Sequence, residues 1–400
     1  MANTPDRILA THVGSLVRPP KLVEFLQLTE NGRPYDRAAF EACLTESVAE
    51  LVRQQAEAGV DIVSDGEFGK DVNWAFYIHQ RVSGFQARPA TPAEEKDPQV
   101  TLGFRGRDQA AFPEFYAEYF PTQNFKMPPV PMTNVCNGPI RYTGQAKLQR
   151  DITNLKAAAA AVKVAGAFLP VVAPASAFPV FKNEYYLDDR AMLFALAEAL
   201  HEEYRAIIDA GLILQIDDAF LPYMYERLVP PMTLTQYREW AAVRIDALNH
   251  ALDGIPEERA RYHICWGSWN APHTYDLPLK DIVDLVLKVR VGAYLFEAAN
   301  ARHEHEWRVW EKVKLAPGKI LIPGVIAHTT NVVEHPELVA ERLVRLAKIV
   351  GRENVMGGTD CGFAQGPFTR RVHPSIQWAK LRALADGVRL ASRELWGNAN

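Results

Sequence analysis

Short apolar runs alternate with amphipathic stretches along nearly the whole chain, a pattern typical of strands separated by helices. Nine apolar runs are predicted strands: Ile8–Val13, Val60–Ser64, Thr133–Cys136, Phe168–Val172, Leu212–Ile216, Arg261–Cys265, Ala293–Glu297, Ile320–Val325 and Val355–Gly358. Three amphipathic stretches are predicted helices, each followed by a glycine that can end it: Glu41–Ala58, Asp188–Ala210 and Pro336–Val350. Alternating strands and helices predict a parallel sheet.

The nine strand candidates predict an α/β fold of the (β/α)8 TIM type, with one candidate more than a closed barrel needs. A doubly wound open sheet is the alternative, although no G-x-G-x-x-G motif follows the first strand. The proline-rich stretch 85–132 breaks the pattern. We predict one catalytic domain over residues 1–400, with 85–132 as an insertion after the second strand, serving as a lid or a dimer contact.

The composition and net charge of the chain limit the kinds of macromolecule that it is expected to bind. The chain has 400 residues, of which 48% are hydrophobic and 23% charged, and its net charge is −4. Such a balance counts against nucleic acid and anionic membranes as partners. Residues 1–16 show no apolar core of a secretion signal. A cytoplasmic, reducing location is therefore predicted, which would leave the four cysteines free to bind metal.

Metal-ligand side chains follow three of the predicted strands. His263 and Cys265 are two residues apart, so they share one face of a strand, while Glu297 ends another and Cys361 follows a third. Zinc binds imidazole, thiolate and carboxylate, usually four ligands in all. The C-terminal ends of parallel barrel strands meet at one face. The four residues together predict a zinc site, although each alone is compatible with an ordinary buried side chain.

Other polar residues occupy the same predicted face. Ser15 ends the first strand, Glu67 follows the second and Asp217 ends a later one, while His328 follows another. Glu67 and Asp217 could equally be caps or ion-pair partners. His328 could donate a proton or simply bond to its neighbours. Asp218 is expected to be structural.

Aromatic and histidine residues near these strands receive weaker assignments. His303 and His305 form a motif like a metal site, but we expect them to be solvated or to support the site from outside. Trp266 and Trp269 could wall a planar ligand, although packing is the commoner reason for such residues.

At these positions the chain resembles the catalytic half of the cobalamin-independent methionine synthases, over nearly all 400 residues. That family has a (β/α)8 barrel and a zinc ion held by His-x-Cys, a glutamate and a distant cysteine. The resemblance implies that His263, Cys265, Glu297 and Cys361 are the corresponding ligands.

The resemblance also implies substrate-binding residues. The Gly-Ser, Gly-Glu and Gln-Ile-Asp motifs of the family match Ser15, Glu67 and Asp217 with their neighbours. In the family, these motifs hold the amino and carboxylate groups of homocysteine. The proton-donor histidine of the family matches His328. One departure is Asp218-Ala219, where the synthases usually have Glu-Pro. Another is the N-terminal barrel of the full-length enzymes, which has no counterpart here.

The predicted function is zinc-dependent alkyl transfer to a thiol by an S-alkyltransferase, with homocysteine methylation to methionine favoured. The donor is left open among methylfolate, a methylcorrinoid and an epoxide. An alternative is thiol addition to an epoxide, as in epoxyalkane:coenzyme M transferases, with Arg18 or Lys70 holding the sulfonate. A metal-free decarboxylase on the same barrel and a non-catalytic zinc-binding protein are further alternatives. Oligomeric state is left open, with a homo-oligomer allowed.

Overall fold

The structure is a computed structural model that describes residues 6–101, 106–122 and 130–397. Two parts of the predicted insertion, 102–105 and 123–129, lie outside the described residues. The strands are β1 (Ile62–Ser64), β2 (Phe85–Pro89), β3 (Met132–Cys136), β4 (Gly166–Val172), β5 (Lys182–Asn183), β6 (Ile213–Asp217), β7 (Ala260–Ile264), β8 (Ala293–Glu297), β9 (Ile320–Ile326), β10 (Gly358–Thr359), β11 (Ala364–Gly366) and β12 (Thr369–Arg370).

Helices lie between many of these strands. They are α1 (Pro20–Glu30), α2 (Arg37–Glu57), α3 (Arg107–Ala111), α4 (Pro113–Thr122), α5 (Gln145–Ala160), α6 (Pro174–Ala177), α7 (Asp189–Asp209), α8 (Phe220–Leu228), α9 (Leu234–Ala251), α10 (Val283–Val286), α11 (Pro336–Val350) and α12 (Pro374–Trp396). Short 3-10 turns occur at Phe76–Gln80, Glu94–Lys96, Glu257–Arg259, Leu279–Asp281, Glu304–Glu311 and Arg352–Asn354. The part of the chain that the structure describes has no helix with the length and apolar character needed to cross a membrane.

Seven strands form one parallel sheet in the order β1-β4-β6-β7-β8-β9-β10. The predicted first strand, Ile8–Val13, has no strand assignment of its own, but it lies between the two edges of this sheet. The Ala10 carbonyl accepts from Asp61 N at 2.9 Å, and Ala10 also forms a parallel bridge to Gly357. The α/β fold and its parallel sheet are therefore confirmed, and the arrangement is consistent with a TIM-type barrel.

The surplus strand candidate is Thr133–Cys136. It belongs to β3, which pairs with β2 and β5 in a separate three-stranded sheet. Its alternation of half-buried and buried side chains is that of a strand, so the sequence pattern alone could not distinguish it from the strands of the main sheet.

The helix α7 shows why the predicted helices form where they do. Asp188 caps its first turn by accepting from Ala191 N at 2.7 Å. Leu196, Leu200 and Ile207 recur at helical spacing and are fully buried. Gly211, with φ of 86°, takes the left-handed conformation that ends the helix.

A buried ion cluster fixes the chain that leaves β1. Arg81 donates to Glu203 on α7 at 3.0 Å and to Asp151 on α5 at 2.8 Å. Replacing Arg81 with methionine should lower the free energy of unfolding by about 3–5 kcal/mol, because the buried Glu203 loses its cation and Asp151 keeps only Arg150. Urea unfolding measures this change. The exposed Arg53 is the control, since Arg53→Met should alter stability far less, and equal losses would contradict the prediction.

Candidate metal centre

Three of the four predicted zinc ligands converge at the C-terminal end of the sheet. His263 lies in β7, Cys265 follows it, and Cys361 follows β10; their ligand atoms all lie within 4.8 Å of one another and the residues are buried. The two sulfurs are 3.8 Å apart. Two thiolates each about 2.3 Å from a tetrahedral zinc would be separated by about the same distance, whereas a disulfide needs about 2.05 Å. The geometry therefore fits a metal site.

Glu297 lies at the end of β8, beside these three residues, and its charge acts on both thiols. One carboxylate oxygen accepts from Trp266 N at 3.0 Å, and the other accepts from the Asn300 amide. It is outside the group of mutually close ligand atoms. Burial raises the pKa of Glu297 to about 7. Its role as the fourth ligand stays a prediction.

A hydrogen bond links the two thiols. The hydrogen bond to Cys361 raises the pKa of Cys265 well above its usual value, with burial adding to the effect. The pKa of Cys361 is lowered because it accepts that bond, although burial opposes the change, and the nearby His263 lowers it further. Metal binding would displace protons from such a pair.

Asp217 orients the histidine. His263 Nδ1 is 3.1 Å from Asp217 Oδ1, and Nε2 is 3.2 Å from the Asp360 carbonyl oxygen. Burial lowers the pKa of His263, but the hydrogen bond and charge of Asp217 outweigh it and raise the pKa to about 9. A carboxylate on one ring nitrogen is the usual support for a histidine that binds metal through the other.

Asp360 ties two site strands together. Its Oδ1 accepts from Ala298 N at 2.8 Å and Ala299 N at 2.9 Å, the residues directly after Glu297. Because Cys361 is the next residue, the same contacts fix the distance between β10 and β8 at the site. A side chain on Gly324 would collide with Asp360, since an added Cβ would lie 2.3 Å from Oδ1.

A cavity of about 590 Å³ opens onto the sulfurs, a size that suits a small-molecule site. The predicted site residues that line it are Ser15, Glu67, Asp217, His263, Cys265 and Cys361. Its aromatic lining consists of Trp74, Phe76, Phe220, Tyr223, Trp269 and Phe368. Trp74 and Phe220 stack with ring centroids 5.8 Å apart. The cavity thus joins a metal-binding end to an apolar, aromatic wall.

Two side-chain oxygen atoms at this cavity have no hydrogen-bond partner among the described residues: Ser15 Oγ and Glu67 Oε2, both buried. The other oxygen of Glu67 binds Lys70 Nζ at 2.5 Å. Glu67 has a φ of 62°, which a residue with a side chain rarely adopts. Buried polar atoms without partners are costly, and backbone strain gathers at functional sites. Both observations fit a polar ligand at this end of the cavity.

His328 follows β9 and is completely buried, but it is not among the residues that line the cavity. Neither ring nitrogen has a hydrogen-bond partner within the described ranges. Burial lowers the pKa of His328 well below its usual value, and the charges of Arg371 and other cations lower it further. The ring is therefore neutral near pH 7, and its role as proton donor stays a prediction.

The structure shows what the remaining polar and aromatic candidates contact. Asp218 accepts from Ser176 and Tyr262, a structural role. His303 is buried between acidic side chains, and its ring stacks on Trp266 at 3.9 Å, whereas His305 is exposed. Trp266 therefore serves packing.

Sequence reasoning missed the cations of the cavity. Arg227 and Arg371 line it, whereas Arg18 and Lys70 do not. Arg18 donates to the backbone carbonyl of Glu67, and Lys70 pairs with its carboxylate. The expectation that these two could hold a sulfonate in the cavity therefore finds no geometric support. Arg371 follows the short β11–β12 hairpin, where no periodic pattern marks a residue as inward-facing.

Comparison with known proteins gives relatives of two kinds. No protein-family model matches the chain. It is 24% identical to 2-hydroxypropyl-CoM lyase of Xanthobacter autotrophicus over 386 residues, covering 90% of this chain and 88% of that protein. It is also 24% identical to methionine synthase of Sulfolobus acidocaldarius over 390 residues, covering 96% of this chain and 92% of the relative.

Among solved structures, a B12-independent methionine synthase from Shewanella sp. W3-18-1, in complex with selenomethionine, matches with a TM-score of 0.70 and 18% identity. The match covers 97% of this chain and 99% of that one. This likeness establishes the fold. The resemblance predicted from the sequence is confirmed, because the relatives are methionine synthases and a CoM lyase that match along almost their whole length.

Proposed function

We propose that the protein is a zinc-dependent S-alkyltransferase and that its acceptor is a small thiol, with homocysteine methylation to methionine as the favoured reaction. The observation that carries the proposal is the convergence of His263, Cys265 and Cys361 at the end of a cavity of substrate size. In this proposal Glu297 completes the ligand set. The sheet, together with the segment at Ala10, is a closed eight-stranded barrel, with 85–132 inserted after its second strand.

The ligand set suits activation of a thiol. A bound zinc ion would lower the pKa of the substrate thiol and so supply the thiolate nucleophile. Cys265, Cys361 and Glu297 as anions would give the loaded site a formal charge of −1. Such a site is electron-rich, which favours attack by sulfur over the hydrolysis typical of sites rich in neutral histidine. Asp217 would hold the His263 ring in the orientation that presents Nε2.

The polar end of the cavity supports an amino-acid acceptor. Ser15 Oγ and Glu67 Oε2 are buried and lack partners among the described residues, and Asp217 lines the same wall. An ammonium group would donate to these oxygens. Homocysteine carries that group. Arg227 and Arg371, which also line the cavity, favour a second candidate, the thiol addition to an epoxide expected from the CoM lyase relative.

X-ray absorption at the zinc edge tests the proposal directly. The purified protein should contain about one zinc per chain, with two sulfur ligands, and homocysteine should raise the sulfur count to three. The reason is that the substrate thiol takes a position on the ion beside Cys265 and Cys361. A spectrum unchanged by every thiol tried would contradict alkyl transfer. An active protein without zinc would instead support the decarboxylase alternative.

A further inference from the structure

A cationic side chain lies at the metal-binding end of the cavity. Arg371 follows β12 and lines the same cavity as Cys265 and Cys361. Burial lowers the pKa of Arg371, while the nearby Tyr119 and Cys361 act in the opposite direction. The backbone N of Arg371 donates at 2.9 Å to the carbonyl of Phe363, two residues after Cys361, which places the arginine beside the segment that carries this sulfur.

The contacts of Arg371 hold it against the cavity wall. Its guanidinium is 3.5 Å from Ser268 Oγ and 5.7 Å from the centre of the Trp269 ring. Ser268 and Trp269 themselves line the cavity. Tyr119, on the insertion helix α4, contacts the same loop, because its hydroxyl oxygen accepts from Asn270 N at 2.9 Å. The arginine is thus placed by hydroxyl groups and an aromatic ring.

Three of the four acids that line the cavity have a basic partner. Glu67 binds Lys70 at 2.5 Å, and Asp71 binds Lys147 at 2.6 Å. Asp217 is bound to His263 at 3.1 Å. The fourth acid, Glu30, is exposed. Glu67 keeps one oxygen without a partner among the described residues, and the positively charged Arg371 lines the same cavity. A planar guanidinium in such a wall matches the paired oxygens of a carboxylate or sulfonate.

We propose that Arg371 binds an anionic group of the acceptor, so that the substrate is a short thiol bearing a carboxylate or a sulfonate a few bonds from its sulfur. The inference rests on the proposed function, since it takes the sulfur to be bound beside Cys265 and Cys361. The position of Arg371 sets the length of the substrate. The sulfur of the thiol lies beside Cys265 and Cys361, and its anionic group binds the guanidinium. Neutral thiols of the same length would lack the second attachment.

Calorimetric titration of the zinc-loaded protein tests the assignment. The probes are 3-mercaptopropionate, 2-mercaptoethanesulfonate and the neutral 2-mercaptoethanol. The wild-type protein should bind at least one anionic thiol about 10- to 100-fold more tightly than 2-mercaptoethanol, the range expected for a hydrogen-bonded charge pair. Arg371→Gln should remove that preference and leave the affinity for 2-mercaptoethanol unchanged. Arg371→Lys should restore part of it.

The adjacent Arg370 provides a matched control, because it is exposed and does not line the cavity. Arg370→Gln should bind all three thiols as the wild type does. If only one of the two anionic probes binds more tightly than 2-mercaptoethanol, that probe shows whether the anionic group of the substrate is a carboxylate or a sulfonate. Equal weakening of anionic and neutral thiols in Arg371→Gln, or no preference in the wild type, would overturn the inference. If no thiol alters the zinc absorption spectrum, the proposed function has failed instead.

Discussion

Replacing Cys361 with serine is expected to abolish zinc retention and alkyl transfer together. The Cys361 sulfur lies 3.8 Å from that of Cys265, and a serine hydroxyl stays protonated where a thiolate would bind the ion. Zinc affinity should fall on the order of a thousandfold or more, since one of about four ligands supplies several kcal/mol of the binding free energy. Metal analysis after dialysis, together with thiol consumption, measures both effects.

Cys136 is the control for this change. It is also buried, and its sulfur already approaches the Gly138 carbonyl at 3.7 Å, so a serine hydroxyl can donate to the same acceptor. Cys136→Ser should therefore keep zinc and activity. If Cys361→Ser retains full activity with zinc bound, the ligand assignment is wrong. If activity disappears while zinc stays bound, Cys361 acts on the substrate rather than on the metal.

The sequence predicted this site because two regularities coincide. The period of two along β7 puts His263 and Cys265 on the same face, and the parallel sheet brings the residue after β10 to the same end. Neither regularity depends on side-chain detail. The same reasoning assigned Ser15, Glu67 and Asp217 to strand ends at this face, and all three line the cavity.

The strand periodicity and the sheet topology could not predict which side chains bind one another. The carboxylate of Glu297 is bonded to Trp266 N and Asn300, which depends on how the chain turns after β8. Lys70 is engaged by Glu67, although the sequence left it available as an anion-binding cation. Periodicity tells which face a residue occupies but carries no information on which of several nearby partners it binds.

The position of Arg371 shows the same limit for loops. It lies after a two-stranded hairpin formed by β11 and β12, whose pairing has a register shift between Ala364 and Gly366. One residue more or less in that turn would exchange the places of Arg370 and Arg371, because alternate strand residues face opposite sides. Sequence alone therefore could not decide which arginine lines the cavity.

His328→Gln should reduce kcat by about 100- to 10,000-fold if this residue protonates the leaving group. Zinc content and thiol affinity should stay unchanged, because His328 is outside the group of ligand atoms. Burial and the charge of Arg371 keep the pKa of His328 well below its usual value. An anionic group on Arg371 would offset one of those charges and so raise the pKa of His328 in the complex.

The pH dependence of kcat distinguishes proton donation from packing. In the wild type, kcat should fall as the pH rises through the pKa of His328 in the complex, because the protonated form is the active one. In His328→Gln that fall should vanish, leaving a low and level rate. His305→Gln is the control, since His305 is exposed and should leave the profile unchanged. A variant that keeps the wild-type slope at a reduced rate would show that His328 only fills space, because a group that carries the transferred proton must carry its titration too.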